Sequence, residues 1–269
     1  MANWAFSWGA TPAEPPIEVG IAPGATAPHL HVHHAVGFLT AVQSLLFVLI
    51  GALFVMTFAV QPIRIPSSSM EPTLLIGDFL LMDKQIGSGG GVLPRLTIGR
   101  GDIVVFHDPV DDPSVHLVKR VIGIPGDRIH LRDGVVYRNG EALKESYAIY
   151  REAAPDGYRD DFPDLRTMQP RVNVKWWIRL RSLVHDGDVT VPADSYFVMG
   201  DNRNDSEDSR YWGFVPKEAI VGKPLVIYFS WRQPGSEEDG QTDPIHTVAS
   251  GVYAKTRFAR WERTFRVVR

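Results

Sequence analysis

Ile129-His130-Leu131-Arg132-Asp133-Gly134-Val135-Val136-Tyr137-Arg138-Asn139-Gly140 decides the fold class. Two short apolar runs flank Asp133-Gly134, a dipeptide suited to a two-residue hairpin turn, and Asn139-Gly140 repeats the signal a few residues later. Working outward, runs rich in Val, Ile, Leu and aromatics predict strands over residues 78–84, 102–107, 115–122, 128–131, 135–138, 176–180, 196–199 and 225–231. Gly, Pro, Asp and Asn punctuate them, so the chain is expected to be mainly β. Residues 87–91 read as a flexible loop. Residues 151–172, with many Pro, Asp and Arg and no clear period, read as a surface excursion inside a 140–190 insertion or second β subdomain.

Upstream of the strands the pattern is different. No Asp, Glu, Lys or Arg occurs between Glu18 and Arg64, and residues 36–60 are almost continuously apolar. At ~1.5 Å per residue this stretch crosses a hydrocarbon core of ~30 Å, so one transmembrane helix is expected there. It is longer and later than a cleaved signal peptide's apolar core and has no Lys or Arg before it. Residues 1–35 are expected to form a disordered tail rich in Pro, Ala and Gly. Within it His29, His31, His33 and His34 read as an interfacial flank, because no nearby carboxylate or Cys completes a metal-ligand set. The Lys and Arg count alone would place the side after the helix in the cytoplasm.

At 269 residues the chain has room for one sizeable core after the membrane segment. A net charge of -3 offers no basic stripe for nucleic acid. The lack of Cys removes disulfides, thiol nucleophiles and thiolate zinc sites. Residues 251–269 hold six Lys or Arg and one Glu; read as a helix, they put Phe258, Trp261, Phe265 and Val268 on one face, suited to an anionic membrane surface. The alternative is a terminal strand packed on the same domain.

Pro66-Ser67-Ser68-Ser69-Met70-Glu71-Pro72-Thr73-Leu74 follows the apolar stretch closely. A serine there needs a base, and His, Asp, Glu or a neutral Lys could serve. No Gly-x-Ser-x-Gly elbow occurs, and nothing singles out His107, His116, His130 or His185 for a Ser-His-Asp arrangement. Two prolines stiffen the backbone around Ser69, and Met70 and Leu74 supply apolar packing. On a strand, Lys119 shares its face with Leu117 and Val121. Burial there would disfavour the charged amine, which near its reference value of ~10.4 is neutral only about one time in a thousand at neutral pH. The run from Gly200 to Arg210 does not follow the EF-hand order of acids and glycine.

These blocks in this order resemble type I signal peptidases. The resemblance rests on Pro66-Ser67-Ser68-Ser69-Met70-x-Pro72-Thr73-Leu74, Arg100-Gly101-Asp102-Ile103-Val104-Val105-Phe106, Lys119-Arg120 with Gly123-Ile124-Pro125-Gly126-Asp127, and Gly200-Asp201-Asn202-Arg203-x-x-Ser206-x-Asp208-Ser209-Arg210. It implies a signal-peptidase-like β catalytic domain over residues 61–250 with one N-terminal transmembrane helix. It implies Ser69 as nucleophile, Lys119 as general base, and an oxyanion hole from the Ser69 N–H and the Ser67 hydroxyl. Ser206 would orient the Lys119 amine, Asp208 would pair with Arg210, and Asp201 with Arg120. The family commonly has Gly where this chain has Ser68. Preference for Ala-x-Ala sites implies shallow apolar pockets, with Ile63, Ile65, Pro66, Met70, Leu74, Leu117 and Val118 as candidate walls. The implied partners are signal-peptide-bearing preproteins and the lipid bilayer, with no nucleic acid, metal or nucleotide cofactor. The implied location is the cytoplasmic membrane, single-pass, with the catalytic domain on the outer, periplasmic side. Rivals are a specialised maturation protease, a self-cleaving repressor-like protease and a catalytically dead module binding exported proteins.

Overall fold

The computed structural model describes residues 32–84, 97–110, 112–151, 154–166, 168–232 and 258–269. Helix α1 runs from Val32 to Phe58. Its stretch Gly37–Phe54 is long and apolar enough to cross a membrane, and none of it is buried in protein. Phe38, Leu39, Leu45, Phe47, Val48 and Phe54 are all exposed, which suits a lipid environment. The helix stops short of the expected residue 60, because Val60 already opens strand β1 (Val60–Arg64). The expected tail falls almost entirely outside the described residues, as does the glycine loop at 87–91; at His33 and His34 only the helical backbone is described.

Considered separately, the remainder is built on two antiparallel sheets. β1, β2 (Asp78–Asp83), β3 (Ile103–His107), β4 (His116–Gly123), β10 (Ser195–Met199), β11 (Val215–Pro216), β12 (Ile220–Ser230) and β13 (Arg266–Val267) form the larger one. Its order is β1-β2-β12-β3-β4-β10-β11, with β13 also on β12. The long strand β12 shifts register around Pro224 and again between Ile227 and Phe229. Such shifts bend a strand, and a proline, having no N–H to donate, is tolerated at one. β12 thereby pairs with β3 through Ile220 and Gly222 and with β13 through Val226 and Ile227.

The smaller sheet, β7-β6-β5-β9-β8, comprises β5 (Arg128–Arg132), β6 (Val135–Arg138), β7 (Glu141–Ala142), β8 (Val184–His185) and β9 (Asp188–Thr190). Asp133-Gly134 and Asn139-Gly140 turn its hairpins, each with positive φ at both positions, as their sequences lead one to expect. Asp186-Gly187 does the same between β8 and β9, a third instance of the signal. The sheet begins at Arg128, ahead of the expected boundary at residue 140. It also shares a core with the larger one: Ile129, Leu131 and Val189 pack with Ile122, Phe197 and Met199.

Residues 176–180, expected as a strand, lie in helix α3 (Val174–Leu183), which follows the short helix α2 (Gly157–Asp160). Asn173 caps α3 by accepting from Lys175 N and Trp176 N, and Trp176, Trp177 and Leu180 bury one helical face. Their bulk and aromaticity mimic a strand, whereas their spacing is helical. The segment around α2 is no mere surface excursion, since Tyr158, Phe162 and Val172 enter the same core.

β4 and β10 are covered on both faces. Ile122, Phe197 and Met199 enter the shared core, while Val121, Tyr196 and Val198 face a second cluster with Val104, Phe106, Val215 and Ile220. A third cluster of Ile65, Met70, Leu74, Leu80, Ile103 and Ile227 is joined at its margin by Val118 and Val268. Residues 258–269 form no helix of the expected kind; a short 3-10 turn at Trp261–Arg263 leads into β13. The arginines expected on a lipid-facing helix include two that are buried: Arg260 bonds Trp231 O and Ile76 O, and Arg263 pairs with the buried Asp78.

Candidate active site

Ser69 sits in the 3-10 turn Ser68–Met70, and what fixes that turn is apolar. Ile65 and Met70 before and after it, and Leu74 beyond, are buried in the third cluster. Glu71 N donates to Ser68 O (3.0 Å) and Leu74 N to Met70 O (2.9 Å), winding the backbone tightly. Ser69 itself is only 7% exposed.

Lys119 arrives from β4, opposite Val104 of β3. Its Nζ lies 2.6 Å from Ser69 Oγ, and the Ser67 hydroxyl is 3.3 Å from the same oxygen. Lys119 is 5% exposed. Burial lowers its amine from the ordinary 10.5 to about 8; Arg210 pushes the same way, and Asp208, Asp201 and Asp205 pull back. A buried amine this close to a hydroxyl, and neutral in a substantial fraction near pH 8, can take the hydroxyl's proton.

The loop that follows β10 closes over both groups. A Cβ on Gly200 would stand 2.3 Å from Ser206 Oγ and 2.4 Å from Ser69 O, so only glycine allows this approach. Asn202 N donates to Ser69 O (3.1 Å) and its Nδ2 to Ser68 O (3.3 Å). Ser206 Oγ donates to Asp208 (2.9 Å); among the described residues it makes no hydrogen bond with Lys119, so its expected contact with the amine is absent from this geometry. With its proton committed to the carboxylate, its lone pairs remain able to accept.

Two guanidiniums are held by these carboxylates. Arg210 binds Asp208 through Nε and Nη2 at 2.8 and 2.9 Å, just before and within helix α4 (Ser209–Trp212), which Asp208 caps. Burial alone would raise the Asp208 carboxyl, but Arg210 and the Gly200 N–H hold it below its usual range. Arg120 binds Asp201 at 2.8 and 2.7 Å, donates to Gly101 O and stacks 4.0 Å over the Tyr147 ring. The Arg100–Phe106 segment thus supplies Gly101 O to Arg120 and Val104 opposite Lys119.

The sequence reading missed three supports. Thr73 Oγ1 donates to Asp201, and Arg203 is clamped on Glu145 at 2.7 Å by both terminal nitrogens, with Tyr147 OH also donating to Glu145. Arg203 lies in the quoted loop, but Glu145 is far away in the chain and carries no local signal. Three of the four candidate histidines are engaged elsewhere, His130 with Asp188 and His107 with Pro113 O and the ring of His116, while His185 is exposed on β8. Among the described residues no group of three or more His, Cys, Asp and Glu is placed to hold a metal.

The expected pocket walls divide. Ile65, Met70 and Leu74 are at most 2% exposed and belong to the core, because the turn that carries Ser69 is anchored through them. Ile63, Leu117 and Val118 are partly buried and Pro66 is exposed, so these four keep surface for a ligand.

The family model described as signal peptidase, peptidase S26, matches residues 38–231. A signal peptidase I of Pseudomonas fluorescens is 38% identical over 205 residues, covering 70% of this chain and 71% of that protein. One from Aquifex aeolicus is 32% identical over 244 residues, covering 79% and 92% respectively. A solved signal peptidase I from Enterococcus faecalis V583 is 32% identical and covers 48% of this chain and 97% of its own, at a TM-score of 0.35 that bears no weight. On the match across most of its length, this chain, with a mainly β body and an N-terminal apolar helix that fits a single membrane span, belongs to the signal peptidase, peptidase S26, family of hydrolases.

Proposed function

We propose that the protein is a membrane-bound serine endopeptidase that removes N-terminal signal peptides from exported preproteins through a Ser-Lys dyad. The observation that carries this reading is the 2.6 Å contact between the buried Lys119 amine and Ser69 Oγ. Neutral Lys119 takes the hydroxyl proton as Ser69 attacks the scissile carbonyl. The oxyanion is held by the Ser69 N–H and the Ser67 hydroxyl, and Lys119 then passes its proton to the leaving amine. Water, activated by the same amine, hydrolyses the acyl-enzyme and restores Ser69. Ser206, Asp208, Arg210, Asp201 and Arg120 keep these parts in register.

Small residues one and three positions before the cut would pack against Ile63, Pro66, Leu117 and Val118. The residue 61–250 body would work on the outer, periplasmic side of the cytoplasmic membrane, anchored by the single span, where signal peptides emerge. The test is cleavage of an Ala-x-Ala preprotein by detergent-solubilised full-length protein, with the product's new N-terminus sequenced. Cutting after that site, abolished by Ser69→Ala and by Lys119→Ala, is expected. Activity surviving Lys119→Ala would move the base elsewhere. No cleavage of several preproteins by the folded, unaltered protein would overturn the reading.

A further inference from the structure

Two polar contacts outside the dyad bracket the turn that carries Ser69. On its N-terminal side the Ser68 hydroxyl donates to the Asp205 carboxylate. On its C-terminal side Glu71 pairs with Arg151, whose carbonyl accepts from Asn204 Nδ2, the neighbour of Asp205. Between them, Asn202 binds Ser68 O and Ser69 O, and Asp205 N donates to Asn202 O (3.1 Å). The loop 202–205 therefore grips both backbone and side chain of the residue before Ser69.

We infer that Ser68 and Asp205 are a positioning pair for the Ser69–Lys119 site, in which the Ser68 hydroxyl ties down the nucleophile turn and the Asp205 carboxylate that anchors it adds one further negative charge to the site. This rests on the reading proposed above. Ser68 stands where a glycine would leave the turn freer, and its side chain supplies the restraint that glycine lacks. The charges acting on Lys119 are Asp208, Asp201 and Asp205, which favour its protonated form, and Arg210, which opposes it. Asp208 is fully buried and bound by Arg210, and Asp201 by Arg120. Asp205 differs from both: it is exposed, and among the described residues its carboxylate accepts from the neutral Ser68 hydroxyl. It is the carboxylate whose charge can be removed without opening a buried ion pair.

Two substitutions separate the two effects. Asp205→Asn keeps an oxygen that can accept from Ser68 but removes the charge. Ser68→Ala keeps the charge but removes the tie. The experiment is the pH dependence of kcat and KM on an Ala-x-Ala substrate for the unaltered protein and both variants, at low and high salt. Asp205→Asn is expected to move the rising limb of the profile to lower pH, because an amine relieved of a nearby negative charge releases its proton sooner. The shift should shrink at high salt, since the carboxylate is exposed. Ser68→Ala is expected to lower kcat about two- to tenfold, the worth of one hydrogen bond, with the loss in kcat rather than KM. An unmoved limb in Asp205→Asn, or full kcat in Ser68→Ala, overturns the corresponding half. If the unaltered protein itself shows no cleavage that depends on Ser69, the proposed function fails and not merely this pair.

Discussion

Lys119 and Arg120 are neighbours on one strand, both almost completely buried, and they meet opposite fates. Arg120 has a carboxylate bound bidentately, a carbonyl and an aromatic face around its guanidinium. Lys119 has a serine hydroxyl, with Asp208 and Asp201, two of the carboxylates acting on it, already bound to arginines. A guanidinium cannot shed its proton in a protein, so its burial demands full pairing; an ammonium can, so incomplete pairing lowers its pKa instead. Equal burial therefore gives permanent scaffolding charge at one residue and an amine able to release its proton at the next. The difference lies in head group and partner, not in depth.

Exchanging the head groups breaks this comparison most severely. Lys119→Arg keeps the charge and much of the length but leaves no group able to accept the Ser69 proton. Cleavage is expected to fall by at least about 10⁴-fold, about 5.5 kcal/mol of barrier, in single-turnover assays. An active Lys119→Arg variant would show that Lys119 is not the base. Arg120→Ala attacks the other side, leaving Asp201 charged and buried with, among the described residues, only the Thr73 side chain still donating to its carboxylate. Removing one partner of such a pair costs about 3–5 kcal/mol, to be read in denaturant unfolding of the folded body. A loss below about 1 kcal/mol would mean that water replaces the guanidinium and that Arg120 is not scaffolding.

Much of this contrast was legible in the chain before any fold was known, and the limits are instructive. Asp133-Gly134 and Asn139-Gly140 announced their hairpins because a turn is a local event, written in the φ preferences of two residues. Ser69, Lys119 and the Gly200–Arg210 loop stood out through ordered motifs. Glu145, Tyr147 and Thr73 did not, because their partners Arg203, Arg120 and Asp201 come from distant parts of the chain and only tertiary structure joins them. Trp176 to Leu180 misled through composition: β-favouring aromatics lie on a helix whose cap, Asn173, was the overlooked signal. The arginines near the end were read by charge alone, which cannot tell a lipid-facing cation from one such as Arg263, folded inward onto Asp78. Nor could apolar character distinguish a residue that keeps surface, such as Val118, from a core anchor such as Met70.

The smallest expected effect is also the sharpest test of the comparison, because it asks what Lys119 costs rather than what it does. Its folded value of about 8 lies below the ordinary 10.5, a gap equivalent to about 3 kcal/mol. Below pH 8 both folded and unfolded chains hold the proton, and the folded one carries the full penalty of the buried charge. Between pH 8 and 10.5 the folded amine has released its proton while the unfolded amine has not, so stability rises with pH across that window. Lys119→Met, which keeps the apolar stem and removes the amine, should therefore be more stable than the unaltered protein by up to about 3 kcal/mol at neutral pH, with the advantage shrinking towards pH 10. Unfolding curves at pH 7 and pH 9.5 decide it. A variant destabilised at both would show the amine to be as well paired as the Arg120 guanidinium beside it, and the contrast between the two neighbours would fall.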